Sequence, residues 1–475
     1  MSPLVLRAYH SLPSFGRDLI ASARGWQLKH WRYGSETDRL VEEALERERW
    51  SSSRWKIWRE SRLLAILDRA AHKVPYYREI WSDRSDTGTW ENLSNWPVLK
   101  KEPLRANPGS FLAEDCNPRK MWREQTSGST GTPLTLWQSR KTLRYWYALF
   151  EARWRRWYGL SRKDRWAILG GQLVAPVDQS KPPYWVWNAG LNQLYLSSYH
   201  LSGRTVKDYV SALGNYGPAY IWGYASALST LARFVLDQDL GFPGLKAAIS
   251  NAEPLYTHQR ELIHRAFGCR VYDTYGSSEM VCAASECEHG RMHLWPETGH
   301  WEVLSDCDGE HVRAGETGRV VCTGFINSDM PMIRYELGDR VALAGEQVSC
   351  PCGRTLPILK SVEGRTDDVV VTPDGRRIGR LDPVFKADFP IHEAQIVQET
   401  LQSIRVLVVP APGFSARHEQ LLISAIRDRV GEASVQVETV QSIPKSANGK
   451  FRAVISKVKA PGPEDRLKNR AVTSF

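Results

Sequence analysis

No stretch of this chain stays apolar for the ~20 residues that a bilayer-crossing helix requires. The most apolar segment, WAILGGQLVAPV from Trp166 to Val177, is far too short, so a soluble chain is expected. The first 33 residues mix Leu, Ile and Trp with Arg and Lys, but they lack a signal peptide's compact apolar run and small-residue cleavage pattern. This pattern predicts a cytoplasmic protein whose N-terminal region makes peripheral contact with a membrane surface. There is no Gly-x-x-x-x-Gly-Lys-Ser/Thr sequence, which excludes a P-loop nucleotide site of the Walker type. Nor is there an isolated Lys/Arg block: the formal charge is +10, yet acidic residues are interspersed with basic ones, as in DRLVEEALERERW. Mixed charge of that kind speaks for a solvated face and against nucleic acid, and no RNA-binding motif is present. Internal repeats and low-complexity segments are absent. Eight cysteines in 475 residues are too few for a disulfide scaffold.

What is present is a chain long enough for more than one core. Nineteen Trp and eighteen Tyr imply large apolar pockets or interfaces. From Asp38 to Ala71 apolar residues recur at helical spacing until Pro75 ends the pattern, which predicts a helical region over 1–75. A Pro/Gly-rich passage from Pro97 to Gly109 predicts loops, followed by alternating short strands and helices to about residue 360. In VVVTPDGRRI, Asp374 and Gly375 sit between two apolar runs, a hairpin signal. RVLVVPA, an amphipathic stretch from His418 to Val430, and VQVETV then read as strand, helix and strand of a compact α+β domain. The expected organisation is α/β: a helical region 1–75, a large domain 76–365, a small domain 366–460, and a disordered tail 461–475.

The segment TSGSTGTP contains Thr126, Ser127, Gly128, Ser129, Thr130 and Gly131, with apolar alternation on both sides. Glycines let a backbone approach an anion, and hydroxyls and amides donate to phosphate oxygens without adding charge. A flexible linker has the same composition.

TSGSTGTP resembles the phosphate loop of acyl- and aryl-CoA ligases, except that Leu134 stands where many relatives place Lys. Further segments follow in the order typical of the adenylate-forming superfamily. NAEP, with Ala252, Glu253 and Pro254, resembles the adenine-side loop, and YGSSE the central signature. The resemblance implies that Tyr275 and Gly276 flank adenine, Ser278 hydrogen-bonds the phosphate or carboxylate, and Glu279 holds magnesium. An aromatic ring can cover a purine, and magnesium takes hard carboxylate oxygens alongside nucleotide phosphates. In RYELGDR, Asp339 matches the acceptor for both ribose hydroxyls; in EGRTDD, Arg365 matches a ribose or phosphate contact and Asp367 the hinge. IPKSANGKFR resembles the C-terminal catalytic loop, with Lys450 in the place of its lysine and Lys445 as competitor.

Within the superfamily, CEHGRMH and CPCGR resemble phenylacetate–CoA ligases, while the helical leader, VPYYRE and PDGRRIGRLDP resemble CapK-type proteins associated with polysaccharide biosynthesis. The implied fold is a large adenylate-forming domain of mixed sheets and packed helices plus a small mobile α+β domain. The implied activity uses ATP and magnesium to form an acyl-adenylate from a small carboxylic acid. Its acyl group then passes to a thiol, coenzyme A first, or to an amine or saccharide. A nucleotide-binding scaffold without catalysis is the rival reading. Trp222, Tyr224 and Ser226 in PAYIWGYASAL are offered for an acyl pocket or for simple core. Cys287, His293, Cys350 and Cys352 resemble the structural zinc site of related ligases, with Cys282, His289 and Cys307 as substitutes and reduced thiols as the alternative.

Overall fold

The structure is a computed structural model describing residues 3–80, 93–125, 134–345, 347–365, 370–372, 377–378, 389–431, 433–444 and 451–458. It divides into two compact units, 1–337 with 341–362, and 338–340 with 363–475. No helix among the described residues is long and apolar enough to cross a membrane.

The first unit opens with helices α1 (Pro3–His10), α2 (Ser14–Arg32), α3 (Thr37–Arg47) and α4 (Ser52–Lys73). The apolar periodicity beginning at Asp38 thus belongs to two helices, broken where the chain turns between Arg47 and Ser52 and where Ser51 caps α4 by accepting from the Arg54 amide at 3.3 Å. Leu63, Ile66, Leu67 and Ala70 are the buried stripe of α4. Two short helices, α5 (Pro75–Ile80) and α6 (Lys101–Ala106), follow. α6 lies inside the passage read as loop: Leu104 is fully buried and holds the turn in place despite the flanking prolines.

Strands β1 (Trp122–Gln125) and β2 (Thr135–Gln138) pair antiparallel, Gln125 opposite Thr135. Helix α7 (Arg140–Phe150) is capped by Ser139. There follow β3 (Trp166–Gly170), β4 (Trp185–Asn188), β5 (Gln193–Ser197), α8 (Val206–Tyr216), β6 (Tyr220–Tyr224), α9 (Ala225–Asp237), β7 (Ala247–Asn251), α10 (Thr257–Phe267) and β8 (Arg270–Gly276). Next come β9 (Ala283–Glu286), β10 (Met292–Leu294), β11 (Gly299–Leu304), β12 (Thr317–Gly324), β13 (Tyr335–Leu343) and β14 (Ile358–Arg365). β3 to β14 form a twelve-stranded sheet in the order β11-β12-β13-β14-β10-β9-β8-β7-β6-β3-β5-β4. β5, β3, β6, β7 and β8 run parallel. Parallel strands buried on both faces read as continuous apolar runs, and β5 has no exposed position. Leu228, Leu231 and Val235 of α9 and Ile263 and Phe267 of α10 pack over them.

A buried ion network fastens α3 to this unit. Glu297 is fully buried and accepts from Arg153 at 2.6 Å and from Arg47 at 3.0 Å. The neighbouring Glu48 accepts from Trp157 and from Arg354. Buried carboxylates of this kind persist because each is matched by guanidinium donors.

In the second unit β15 (Val370–Val371) and β16 (Arg377–Ile378) pair antiparallel, so strand pairing occurs at the anticipated hairpin, while Asp374 and Gly375 lie outside the described residues. β17 (Ile391–Thr400), β18 (Ser403–Pro410), β19 (Ser434–Thr439) and β20 (Val454–Ser456) form a sheet ordered β19-β18-β17-β20. Leu422 and Ile426 of α11 (Ala416–Val430) pack onto Ile396, Ile404 and Val406 of that sheet. Residues 459–475 lie outside the described residues.

Candidate active site and a cysteine–histidine cluster

Parallel pairing aligns the C-terminal ends of β6 and β7, Tyr224 opposite Asn251, with β8 alongside. Open α/β sheets gather ligands at such ends. The NAEP loop leaves β7 with Ala252 at φ 61°, a left-handed conformation that a residue with a Cβ adopts only under constraint. The constraint is visible: Glu253 accepts from the Ser226 amide at 2.9 Å, tying this loop to the start of α9. Burial, followed by the Glu253 charge, pushes the Tyr224 phenol up to about 12.

YGSSE begins at the end of β8 and runs into the turn before β9. Tyr275 pairs with Ala284 across the strands, and its ring lies 5.8 Å from that of Trp301. The Met280 amide donates to the Ser277 carbonyl at 3.1 Å, with Met280 itself at φ 60°. Tyr335 donates to Glu279 Oε1 at 3.0 Å. Beneath the motif, the Asp273 amide donates to Glu286 at 2.7 Å and Arg260 donates to the same oxygen at 2.9 Å. Burial, reinforced by the Glu286 charge, raises the Asp273 carboxyl to about 7.

Beside Ser277 and Ser278 lies a cavity of about 190 Å³. Trp31 and Arg32 of α2, Trp122 and Glu124 of β1, and Trp146 and Tyr147 of α7 line it. Arg32 sits 4.3 Å from the Tyr147 ring centroid, and the Trp122 indole donates to Glu124 at 3.0 Å. Trp222, Tyr224 and Ser226, offered for an acyl pocket or for core, do not line this cavity. Trp222 is packed in aromatic core, 4.8 Å from Trp154 and 5.8 Å from Trp166. The cavity's walls come from three distant segments, so no local pattern marks them; the aromatic richness is the one compositional hint.

Of the phosphate loop, 126–133 lie outside the described residues, although Leu134 beside them is buried. Asp339 is on β13 and Arg365 ends β14. Asp367, Lys445 and Lys450 lie outside the described residues.

The structure brings Cys287, His293, Cys350 and Cys352 together, their ligand atoms all within 4.8 Å of one another. The Cys287 and Cys350 sulfurs are 3.6 Å apart, and Cys352 Sγ is 3.4 Å from His293 Nε2. Tight turns present the thiols: the Gly290 amide donates to the Cys287 carbonyl and the Gly353 amide to the Cys350 carbonyl, with Gly290 at φ 72° and Gly353 at φ 74°. His293 Nδ1 lies 3.1 Å from the Leu356 carbonyl, which fixes the proton on that nitrogen and turns the Nε2 lone pair toward the thiols. Burial lowers the His293 pKa and lifts Cys350 to about 12. Neutral imidazole with thiols that a cation would deprotonate is the donor chemistry of a closed tetrahedral zinc site. Neither Cys282, packed in the core, nor Cys307, exposed, belongs to this group.

Residues 370–457 match the CapK C-terminal domain family. The chain is 27% identical to Protein CapK of Staphylococcus aureus over 393 residues, 81% of this chain and 85% of that one. It is 26% identical to phenylacetate-coenzyme A ligase of Thermus thermophilus over 330 residues, 66% of this chain and 70% of the relative. Its fold is similar to the crystal structure of 2-hydroxyisobutyryl-CoA ligase in the postadenylation state in complex with 2-HIB-AMP. That match has a TM-score of 0.67 and 21% identity, and covers 90% of this chain and 94% of the other. Over most of its length this chain is thus similar to Protein CapK and to a phenylacetate-coenzyme A ligase, its fold is similar to that of a CoA ligase, and its residues 370–457 match the CapK C-terminal domain.

Proposed function

We propose that the protein activates a small carboxylic acid with ATP and passes the acyl group to a thiol, coenzyme A by preference. The carrying observation is that the NAEP and YGSSE segments leave the C-terminal ends of the neighbouring parallel strands β7 and β8, with a cavity of about 190 Å³ beside Ser278. A carboxylate oxygen attacks the α-phosphorus, the bond to the β-phosphate oxygen breaks, and pyrophosphate leaves. A thiolate then attacks the acyl carbonyl and AMP departs with the electron pair. The acid is its own nucleophile, so the chain's task is positioning and charge neutralisation.

In this reading 126–131 cradle the phosphates, Tyr275 and residues 252–254 hold adenine, and Asp339 and Arg365 hold the ribose and phosphate. Glu279 supplies magnesium's carboxylate, with Tyr335 fixing that carboxylate by hydrogen bond. Lys450 bridges the attacking carboxylate and the α-phosphate as the small domain moves about Asp367. The cavity receives the acyl group. Its aromatic walls carry two charged side chains, Arg32 and Glu124, which favour an acid with a polar substituent over a plain hydrocarbon. Zinc in the cluster would complete a shell with no site for water, pinning the β9–β10 turn without entering the reaction.

Pyrophosphate release across a panel of small hydroxy, amino, aryl and aliphatic acids, followed by chromatography for the CoA thioester, tests the reading. One class of acid is expected to give release and thioester together. Release without thioester would remove coenzyme A as acceptor, and no release with any acid would contradict the proposal.

A further inference from the structure

We propose that the outward face of α2, together with Trp187 at the edge of β4, is a docking surface for an anionic lipid bilayer. The usual order of a surface helix is reversed in α2. Phe15, Leu19 and Trp26 fall within about 40° of one another around its axis at 100° per residue. They are 66%, 66% and 57% exposed, whereas Arg17 and Gly25 face the protein and are buried.

The inward face is fixed by contact that leaves no freedom to rotate. A Cβ on Gly190 would meet the Trp26 amide nitrogen at 2.3 Å, and one on Gly25 would meet the Asn188 side chain at 1.8 Å. The Ser22 hydroxyl donates to the Trp187 carbonyl at 3.4 Å, and the Trp187 amide donates to Asp18 at 2.9 Å. Trp187, 49% exposed, therefore borders the stripe between its second and third turns. Of the fourteen large apolar side chains exposed among the described residues, Phe15, Leu19, Ile20 and Trp26 of α2 and the adjoining Trp187 share this corner, a concentration that scattered surface residues do not produce.

Charge selects the occupant. Among the cations of residues 1–32, Arg7, Arg24 and Lys29 are exposed, while Arg17 is buried and Arg32 lines the cavity; the one carboxylate, Asp18, is already engaged by the Trp187 amide. The adjoining segment adds Asp178 and Lys181, which cancel. Lys29 Nζ sits 4.9 Å from the Trp26 ring centroid, so apolar body and cation are presented together, as interfacial helices present them to anionic headgroups. A second copy docking face to face would set these cations against their own images, which disfavours self-association. The other side of α2 lines the cavity through Leu28, Trp31 and Arg32. Docking would hold that cavity roughly one helix diameter, ~10 Å, from the lipid.

The test is co-sedimentation of the full chain with vesicles of equimolar phosphatidylglycerol and phosphatidylcholine, compared with phosphatidylcholine alone, at low and high salt. The wild type is expected to bind the anionic vesicles and to be released by salt. Phe15→Ser/Leu19→Ser/Trp26→Ser is expected to weaken binding about ten-fold or more, and Lys29→Glu to weaken it less. Circular dichroism and melting temperature, unchanged in the triple variant, separate lost docking from lost folding. Failure of the wild type to bind anionic vesicles would overturn the proposal, as would equal binding by a folded triple variant. So would a wild-type dimer that the triple substitution dissolves. None of these outcomes depends on which acid the protein activates.

Discussion

At the scale of single residues, Asp273 is a carboxylate that burial displaces to neutral pH, and it lies two residues before Tyr275. Its folded pKa of about 7 exceeds the unfolded value of ~3.9, so the native state retains the proton that the unfolded chain releases. The associated stability is present below about pH 4 and is lost as pH rises through 7. Asp273→Asn removes that loss while keeping a neutral side chain of the same shape. Thermal unfolding should show the variant more stable than wild type at pH 8, by about 1–3 kcal/mol, and nearly equal to it at pH 4.5. A variant less stable at pH 8 would mean that Arg260 uses the Asp273 charge more than burial opposes it. Residue chemistry was readable in advance where the type itself carries the information. Three cysteines and a histidine announced a cluster, and the fold does bring those four ligand atoms within 4.8 Å. Trp222 was not readable in this way, because an indole suits a core as well as a pocket.

At the scale of elements, the β9–β10 turn and the 350–356 segment are joined at the cysteine–histidine cluster, and Arg354 extends the junction to Glu48 at 3.1 Å. If zinc holds the cluster, protein freed of loosely bound metal by a chelator should retain about one equivalent by metal analysis. Cys287→Ser should release it and lower the melting temperature. Less than about half an equivalent in the washed wild type would leave buried thiols as the account of these residues. Strands and amphipathic helices with inward apolar stripes, such as α4 and α11, were legible from period alone. Helix α2 was not: its apolar stripe points outward, and its inward face is settled by Gly25 against a segment 165 residues later. The cavity beside Ser278 escaped detection for the same reason, being assembled from α2, β1 and α7.

At the scale of the whole molecule, two compact units come from one chain, with the boundary within β13 and near the end of β14. The order of motifs made this class of protein legible, since each short segment is ordinary in isolation and informative only in sequence. Lys450, on the second unit, is assigned the most demanding role, neutralising charge between carboxylate and α-phosphate. The most direct measurement is acid-dependent exchange of labelled pyrophosphate into ATP, in wild type and in Lys450→Ala. The wild type should exchange label only when a matching carboxylic acid is present. Lys450→Ala should exchange it roughly 10²–10³-fold more slowly, the scale of removing one preorganised electrostatic group. Transfer from presynthesised acyl-AMP should survive the substitution. Wild-type protein that binds ATP yet exchanges no label with any acid, or a Lys450→Ala protein that exchanges at the wild-type rate, would contradict the account.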